Sequence, residues 1–281
     1  MDYVKSDSCF APHNGSAHDE YALMRDGLNA TGRHIYFNLC WGAGKEVAAQ
    51  GKTLGNAWRV GEDDGGGWGP VLVNVSGACP DSPVLLWPWL DVCRAHCQVD
   101  TDNELAEYSG CDPVNGCGWN DPGLLLVGGV LNEAQGRSQF SLWSILASKL
   151  LISVDPRTLT KESLQIYLNK EIIAVDQDAL GKQGKRLSQA KQPAGGMAEV
   201  WTRQLAEGDW AILFFNRNNS APLDIACDGA CLASMGLKAG GFAARNLNSH
   251  AAVPLAEAAP LAVSGLARDD SVMMRLTPKK R

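Results

Sequence analysis

The chain has 281 residues, 45% of them hydrophobic and 20% charged, a globular composition with room for about two domains. Intrinsic disorder is thereby excluded as the main description. A net charge of −6 argues against nucleic-acid binding, and no uninterrupted apolar run approaches the ~18 residues of a membrane-spanning helix.

In chain order, residues 2–6 read as a short buried strand that ends at Asp7. Residues 17–29 read as a helix, with Tyr21, Leu23, Met24 and Leu28 at roughly helical spacing and Gly32 as a stop. A strand at 34–39 ends at Cys40, a helix follows from about 45 to 50, and 56–60 is a third strand. This alternation is the signature of parallel βα units. Residues 69–117 break the rhythm with five cysteines and several prolines, and read mostly as an insertion. Regular structure is expected again from Trp119, with a helix at 133–148, a strand at 150–154, and helices at 161–168 and 171–176. Character changes near Gly181. From Glu199 onward only strand-like pieces are expected, at 199–204, 210–216, 223–227 and 271–277, separated by Gly- and Ala-rich connections. The division is therefore an α/β domain over 1–181 and an all-β sandwich over 182–281.

Nine cysteines and four Asn-x-Ser/Thr sequons, at Asn14, Asn29, Asn74 and Asn218, point to an oxidising, secretory history. No signal peptide is visible at the start, so the natural N-terminus is expected to lie upstream. Several motifs are set aside. Gly51-Lys52-Thr53 imitates the end of a phosphate loop, but Glu46 stands where the first glycine is required. No H-E-x-x-H or G-x-S-x-G occurs. The run Cys93, His96, Cys97, Cys111, Cys117 lacks repeated zinc-hook spacing, and disulfides are the favoured reading.

Two carboxylates stand out by position. Asp7 closes the first strand, and Asp63 lies just past the third. Parallel β/α folds place their chemistry at the C-terminal ends of strands. Lys5 and Asp7 are two residues apart and point to the same side, so an ammonium near Asp7 favours its ionised, nucleophilic form. Arg59 precedes Asp63 in the same way and suits a substrate hydroxyl. An Asp at a strand end also serves as a helix cap, and pattern alone leaves both readings open.

A run of segments in shared order resembles glycoside hydrolase family 27, the α-galactosidase (melibiase) family. Lys5-Ser6-Asp7-Ser8-Cys9 resembles its nucleophile strand, and Asn38-Leu39-Cys40 its next strand. Trp58-Arg59, with Asp63 and Trp68 at the family's spacing, resembles its acid/base loop. Gly118-Trp119-Asn120-Asp121-Pro122 is similar to its G-W-N-D-P. The segments at 141–153 and 169–184 are similar to its last barrel helix and strand and to the stretch that follows. The resemblance implies a C-terminal part of a (β/α)8 TIM barrel, from about the fourth strand, followed by a β-sandwich. It implies Asp7 as nucleophile and Asp63 as general acid/base, with retention of configuration and carboxyls about 5 to 5.5 Å apart. It also implies that Lys5 and Arg59 contact galactose hydroxyls, that Cys40 and Trp41 line the pocket with Asp121 in support, and that Cys9 bonds Cys40. A raised pKa at Asp63 would keep the acid protonated.

The match departs from the family at named positions. Cys40-Trp41-Gly42 lacks the family's Glu after the Cys, Gly123 replaces the second Asp of D-P-D, Leu124 replaces a Met, and Asp64 replaces an Ile. The implied activity is hydrolysis of terminal α-D-galactosyl groups. The alternatives are an α-N-acetylgalactosaminidase of the same family or a non-catalytic galactose-binding remnant, because the first barrel strands are missing. The 281-residue chain is accordingly expected to be inactive by itself. No cofactor and no metal are expected. Partner expectations are an α-galactoside substrate, no nucleic acid, no membrane, and a homodimer as the assembly to test. The complete protein is expected in the secretory pathway.

Overall fold

A computed structural model describes residues 2–7, 16–40, 45–61, 68, 98–193, 195–217, 220–256 and 259–279. They fall into two compact units, one ending at Gly123 and the other running from Leu124 together with Trp68. The first unit contains β1 (Tyr3–Asp7), α1 (Ala17–Ala30), β2 (Tyr36–Cys40), α2 (Lys45–Leu54), β3 (Ala57–Arg59), α3 (Gln98–Glu104), β4 (Gly110–Asp112) and β5 (Gly116–Asp121). Its sheet order is β1-β2-β3-β5-β4. The β1–β2, β2–β3 and β3–β5 pairs are all parallel, as the alternating pattern requires.

Local chemistry explains the elements. Ser16 caps α1 by accepting the Asp19 N–H at 3.1 Å, and Asp19 and Glu20 in the first turn complement the helix dipole. The strands then put alternate residues on the helix side. Phe37, Leu39 and Trp58 join Tyr21, Val47 and Leu54 in a buried cluster. Burying each such side chain stabilises by roughly 1.5–3 kcal/mol. Gly51 lets α2 lie directly on Trp58: a Cβ there would stand 2.1 Å from the indole ring. The apparent phosphate-loop triplet thus contains a packing glycine.

Among the described residues, regular structure is already present before Trp119, from Gln98 onward. The segment read as the end of an irregular insertion contains α3 and an antiparallel β4–β5 hairpin, crossed by a Cys111–Cys117 disulfide. Pro113 lies in its turn, and Gly110, Gly116 and Gly118 lie in its strands. Asp112 accepts N–H bonds from Val114 and Asn115 at 3.0 and 2.7 Å, an Asx-type turn that closes the hairpin. The bond between these two cysteines also removes them from any zinc site.

The second unit contains α4 (Glu133–Ile145), α5 (Lys161–Tyr167), α6 (Lys170–Asp176), β6 (Lys185–Lys191), β7 (Met197–Gln204), β8 (Trp210–Arg217), β9 (Leu223–Cys227), α7 (Gly229–Ser234), β10 (Phe242–Asn246), β11 (Ala251–Val253), β12 (Leu261–Leu266) and β13 (Ser271–Pro278). An antiparallel six-stranded sheet, ordered β11-β10-β13-β8-β7-β6, faces a β12-β9 pair. Val200, Ile212, Phe214, Ile225, Phe242, Met274 and Leu276 fill the core of this sandwich.

Four sequence expectations need correction here. Helix α4 starts with an Asn132/Gln135 capping box but ends three residues early, because Ala147 turns to φ +56°. The strand expected at 150–154 is a single parallel bridge between Leu125 and Ile152. The β domain is not purely strands: α7 forms with Asp228 as its cap, beside a Cys227–Cys231 disulfide. Residues 124–181 also pack with the sheet domain. Arg203 Nη1 donates to the Ser144 carbonyl at 2.6 Å, the Gly184 N–H to that of Ile145 at 2.8 Å, and Asn169 Nδ2 to that of Leu247 at 2.8 Å. The change from helix to strand near 181 is real, but the compact unit begins at Leu124.

Two predictions follow from this packing. Gly51→Ala should destabilise by roughly 1–3 kcal/mol, read from urea unfolding, because the Trp58 ring has no room to retreat. In the second unit, burial pushes the Asp176 carboxyl up to about 7, against the opposing charge of Arg203. The folded state therefore holds that proton above its unfolded pKa of about 3.9. This group's contribution is lost as pH rises from about 4 to about 7. Asp176→Asn should flatten that part of the thermal-midpoint profile, and an unchanged slope would contradict the assignment.

Candidate active site

Strand alternation leaves Tyr3, Lys5 and Asp7 of β1 on the opposite side from Val4, which packs into the helix-side cluster. On β2 the same division separates Asn38 and Cys40 from buried Phe37 and Leu39, and on β3 it separates Arg59 from Trp58. Register then lines up the strand ends: Asp7 pairs with Cys40 and Arg59 with Asp121. One step earlier, Lys5 is opposite Asn38 and Asn38 is opposite Ala57. The site thus rests on four neighbouring parallel strands.

Asp121 is fully buried. Its Oδ2 accepts from Asn38 Nδ2 at 2.9 Å and faces Lys5 Nζ at 4.0 Å, while Oδ1 accepts the Gly123 N–H at 2.9 Å. Gly123 has φ +119°, a conformation that a side chain strains, so the glycine in place of the family's second Asp serves this turn. Asn38 Nδ2 also donates to the Tyr3 hydroxyl at 3.0 Å. Arg59 is 3% exposed, and its Nε and Nη2 donate to the Gly61 carbonyl at 3.3 and 3.0 Å. Asp7 is exposed at the end of β1. The Tyr21 hydroxyl donates to the Ser6 carbonyl at 3.1 Å and ties that strand end to α1. Burial pushes the Tyr3 and Tyr21 phenols up to about 12, so both stay protonated near neutrality.

Cys40 is half-buried and, among the described residues, has no disulfide partner. Burial raises its pKa, Lys5 and Arg59 oppose that rise, and Asp7 and Asp121 add to it. All four charged groups therefore act on one sulfur. The structure brings together Lys5, Asp7, Cys40, Arg59 and Asp121. Cys9, Trp41 and Asp63 lie outside the described residues, as does Asp64. The ion pair of Lys5 is made with Asp121, a residue that sequence spacing left unconnected to it. Sequence reasoning also missed Tyr3 and Asn38. The signal for Asn38 was its place in the alternation of 36–40, a polar residue between two buried apolar ones. Among the described residues no group of three or more His, Cys, Asp or Glu side chains is placed to hold a metal ion.

Comparison with known proteins bears on the fold and the family. A family model described as alpha galactosidase A matches residues 106–178, and one for the alpha galactosidase C-terminal beta sandwich domain matches residues 195–276. An alpha-galactosidase of Oryza sativa is 32% identical over 221 residues, covering 78% of this chain and 44% of the relative. Alpha-galactosidase 3 of Arabidopsis thaliana is 34% identical over 219 residues, covering 77% and 43%. The alpha-N-acetylgalactosaminidase of Mus musculus is 31% identical over 235 residues, covering 81% and 49%. The chain spans about half the length of the curated relatives it matches. The solved structure of the Saccharomyces cerevisiae alpha-galactosidase with raffinose shares the fold, with a TM-score of 0.78 at 20% identity over 99% of this chain and 73% of that one. The architecture is thus the C-terminal part of a (β/α)8 barrel followed by a β-sandwich.

Cys40 pairs in register with Asp7, two residues before Cys9. A Cys9–Cys40 bond is therefore proposed for the protein made under oxidising conditions. Peptide mapping by mass spectrometry without reduction should recover a Cys9–Cys40 cross-linked peptide. Quantitative alkylation of Cys40 in that protein would exclude it.

Proposed function

The chain belongs to glycoside hydrolase family 27, the α-galactosidases, and on that premise we propose that its protein is a retaining glycosidase removing terminal α-D-galactosyl groups. The observation that carries the reading is the shared register of β1, β2, β3 and β5, which gathers Lys5, Asp7, Cys40, Arg59 and Asp121 at one sheet edge. In this proposal the Asp7 carboxylate attacks the anomeric carbon while Asp63 gives a proton to the departing glycosidic oxygen. The glycosyl–Asp7 ester is then cleaved by water, whose proton returns to Asp63. Lys5 and Arg59 supply donors to sugar hydroxyls, Cys40 and Trp41 form pocket wall, and Asp121 holds Lys5 in place. The two disulfides seen at Cys111–Cys117 and Cys227–Cys231 support a secretory-pathway location. A homodimer is the assembly to test.

One second reading has a specific observation behind it. The mouse relative is named an alpha-N-acetylgalactosaminidase, and here the Glu after the pocket Cys is absent. Side-by-side turnover of nitrophenyl α-galactoside and its 2-acetamido counterpart by the full-length protein decides between them.

Asp7→Asn in the full-length protein should abolish turnover while leaving the circular-dichroism spectrum unchanged. Losing covalent catalysis costs several kcal/mol of barrier, so retention of activity within about tenfold of the parent would sink the nucleophile assignment.

A further inference from the structure

Asn38 sits in the middle of β2, fully buried, with both hydrogens of its amide committed. One goes to Asp121 Oδ2 at 2.9 Å and the other to the Tyr3 hydroxyl at 3.0 Å. Its own Oδ1 is buried and, among the described residues, has no hydrogen-bond partner. The amide cannot be turned over to relieve this, because the carbonyl would then face the Asp121 carboxylate, acceptor against acceptor. A buried polar group left half-satisfied costs stability and calls for a reason. Its neighbours at 37 and 39 are apolar residues facing the helices, so no packing demand requires an amide here. What the amide does is hold one oxygen of Asp121, and that same oxygen is the one facing Lys5 Nζ.

We infer that Asn38 is a positioning residue for the glycosidase site proposed above, acting through Asp121 to set where the Lys5 ammonium points. Lys5 is 28% exposed while Asp121 is fully buried, so the cation is the member of the chain that meets a ligand. At 4.0 Å it is an ion pair without a close hydrogen bond, and the ammonium keeps donors for a sugar hydroxyl. Tyr3 completes the frame: its hydroxyl accepts from Asn38, and its ring stacks on Tyr36 at 5.7 Å. The inference rests on the glycosidase reading for its function and on geometry alone for the linkage.

Asn38→Asp gives the sharpest test. It sets a second carboxyl against Asp121, in a site also facing Lys5, Asp7, Cys40, Arg59 and Tyr3. Below about pH 4 one shared proton bridges the two carboxyls and restores the contact, whereas near pH 7 two like charges oppose each other. In the full-length protein, kcat/KM of Asn38→Asp on nitrophenyl α-galactoside should lie within about threefold of the parent at about pH 4. It should fall on the order of a hundredfold at pH 7, mostly through KM, as expected for a donor displaced by about 1 Å. Asn38→Leu should lose on the order of tenfold or more at every pH. A loss for Asn38→Asp that is the same at all pH values, or both variants within about threefold of the parent at pH 7, overturns the inference and leaves the glycosidase reading standing. The thermal midpoint supplies the activity-independent arm: Asn38→Asp should lose stability against the parent as pH rises. If that trend appears while the parent hydrolyses neither sugar, the linkage stands and the glycosidase reading falls, and with it the role in sugar positioning.

Discussion

The in-register parallel pairing of β1, β2, β3 and β5 is the constraint on which the site depends. Side-chain direction in a strand has a period of two, so one choice of register decides both what enters the helix-side core and what reaches the opposite face. Phe37, Leu39 and Trp58 lie on the first face, and Lys5, Asp7, Asn38, Cys40, Arg59 and Asp121 on the second. A slip of one residue in β2 would put Asn38 among apolar side chains and Leu39 beside Asp121. The hydrophobic effect therefore places the charged groups indirectly, by penalising every other register.

Close approach is the second requirement. Gly51 and Gly118 lie against Trp58, where a Cβ would come within 2.1 and 2.6 Å of the ring. Trp58 Nε1 donates to Asn120 Oδ1 at 2.7 Å, and Asn120 Nδ2 donates to the Leu105 carbonyl at 3.0 Å. The indole thus ties β3 to β5 from the helix side, directly beneath the Arg59–Asp121 pair of the same two strands. Packing on one face holds the geometry of the other.

Two buried carboxylates show how one principle serves different ends. Glu199, fully buried in the sheet domain, accepts from Arg217 Nη1 at 3.0 Å and from Trp201 Nε1 at 2.8 Å. Arg217 is itself buried, at 1% exposure, and a second cation, Arg186, pairs with the same carboxylate at 3.4 Å, so the network lies within the sheet domain. Asp121 lies instead among strand-end groups that face away from the helices. Lys5 reaches toward solvent, and an amide and a backbone N–H donate to the carboxylate.

Sequence by itself determined the elements and much of the chemistry. Apolar spacing located β1, α1, β2, α2 and β3, and strand-end position singled out Asp7 and Asp63 with Arg59 before it, because both signals are local in the chain; the pocket role of Cys40 came from the family resemblance. The β4–β5 hairpin, α7 and strands β6 and β10–β12 escaped it: most are short or rich in Gly and Ala, and β6 is mostly polar, so apolar spacing is weak in them. The Lys5–Asp121 pair and the Asn38 link to it join residues 116 and 83 positions apart. No local pattern encodes such a separation. Only tertiary structure decided it, because strand register, set by burial over the whole sheet, is what brings those side chains within reach of one another.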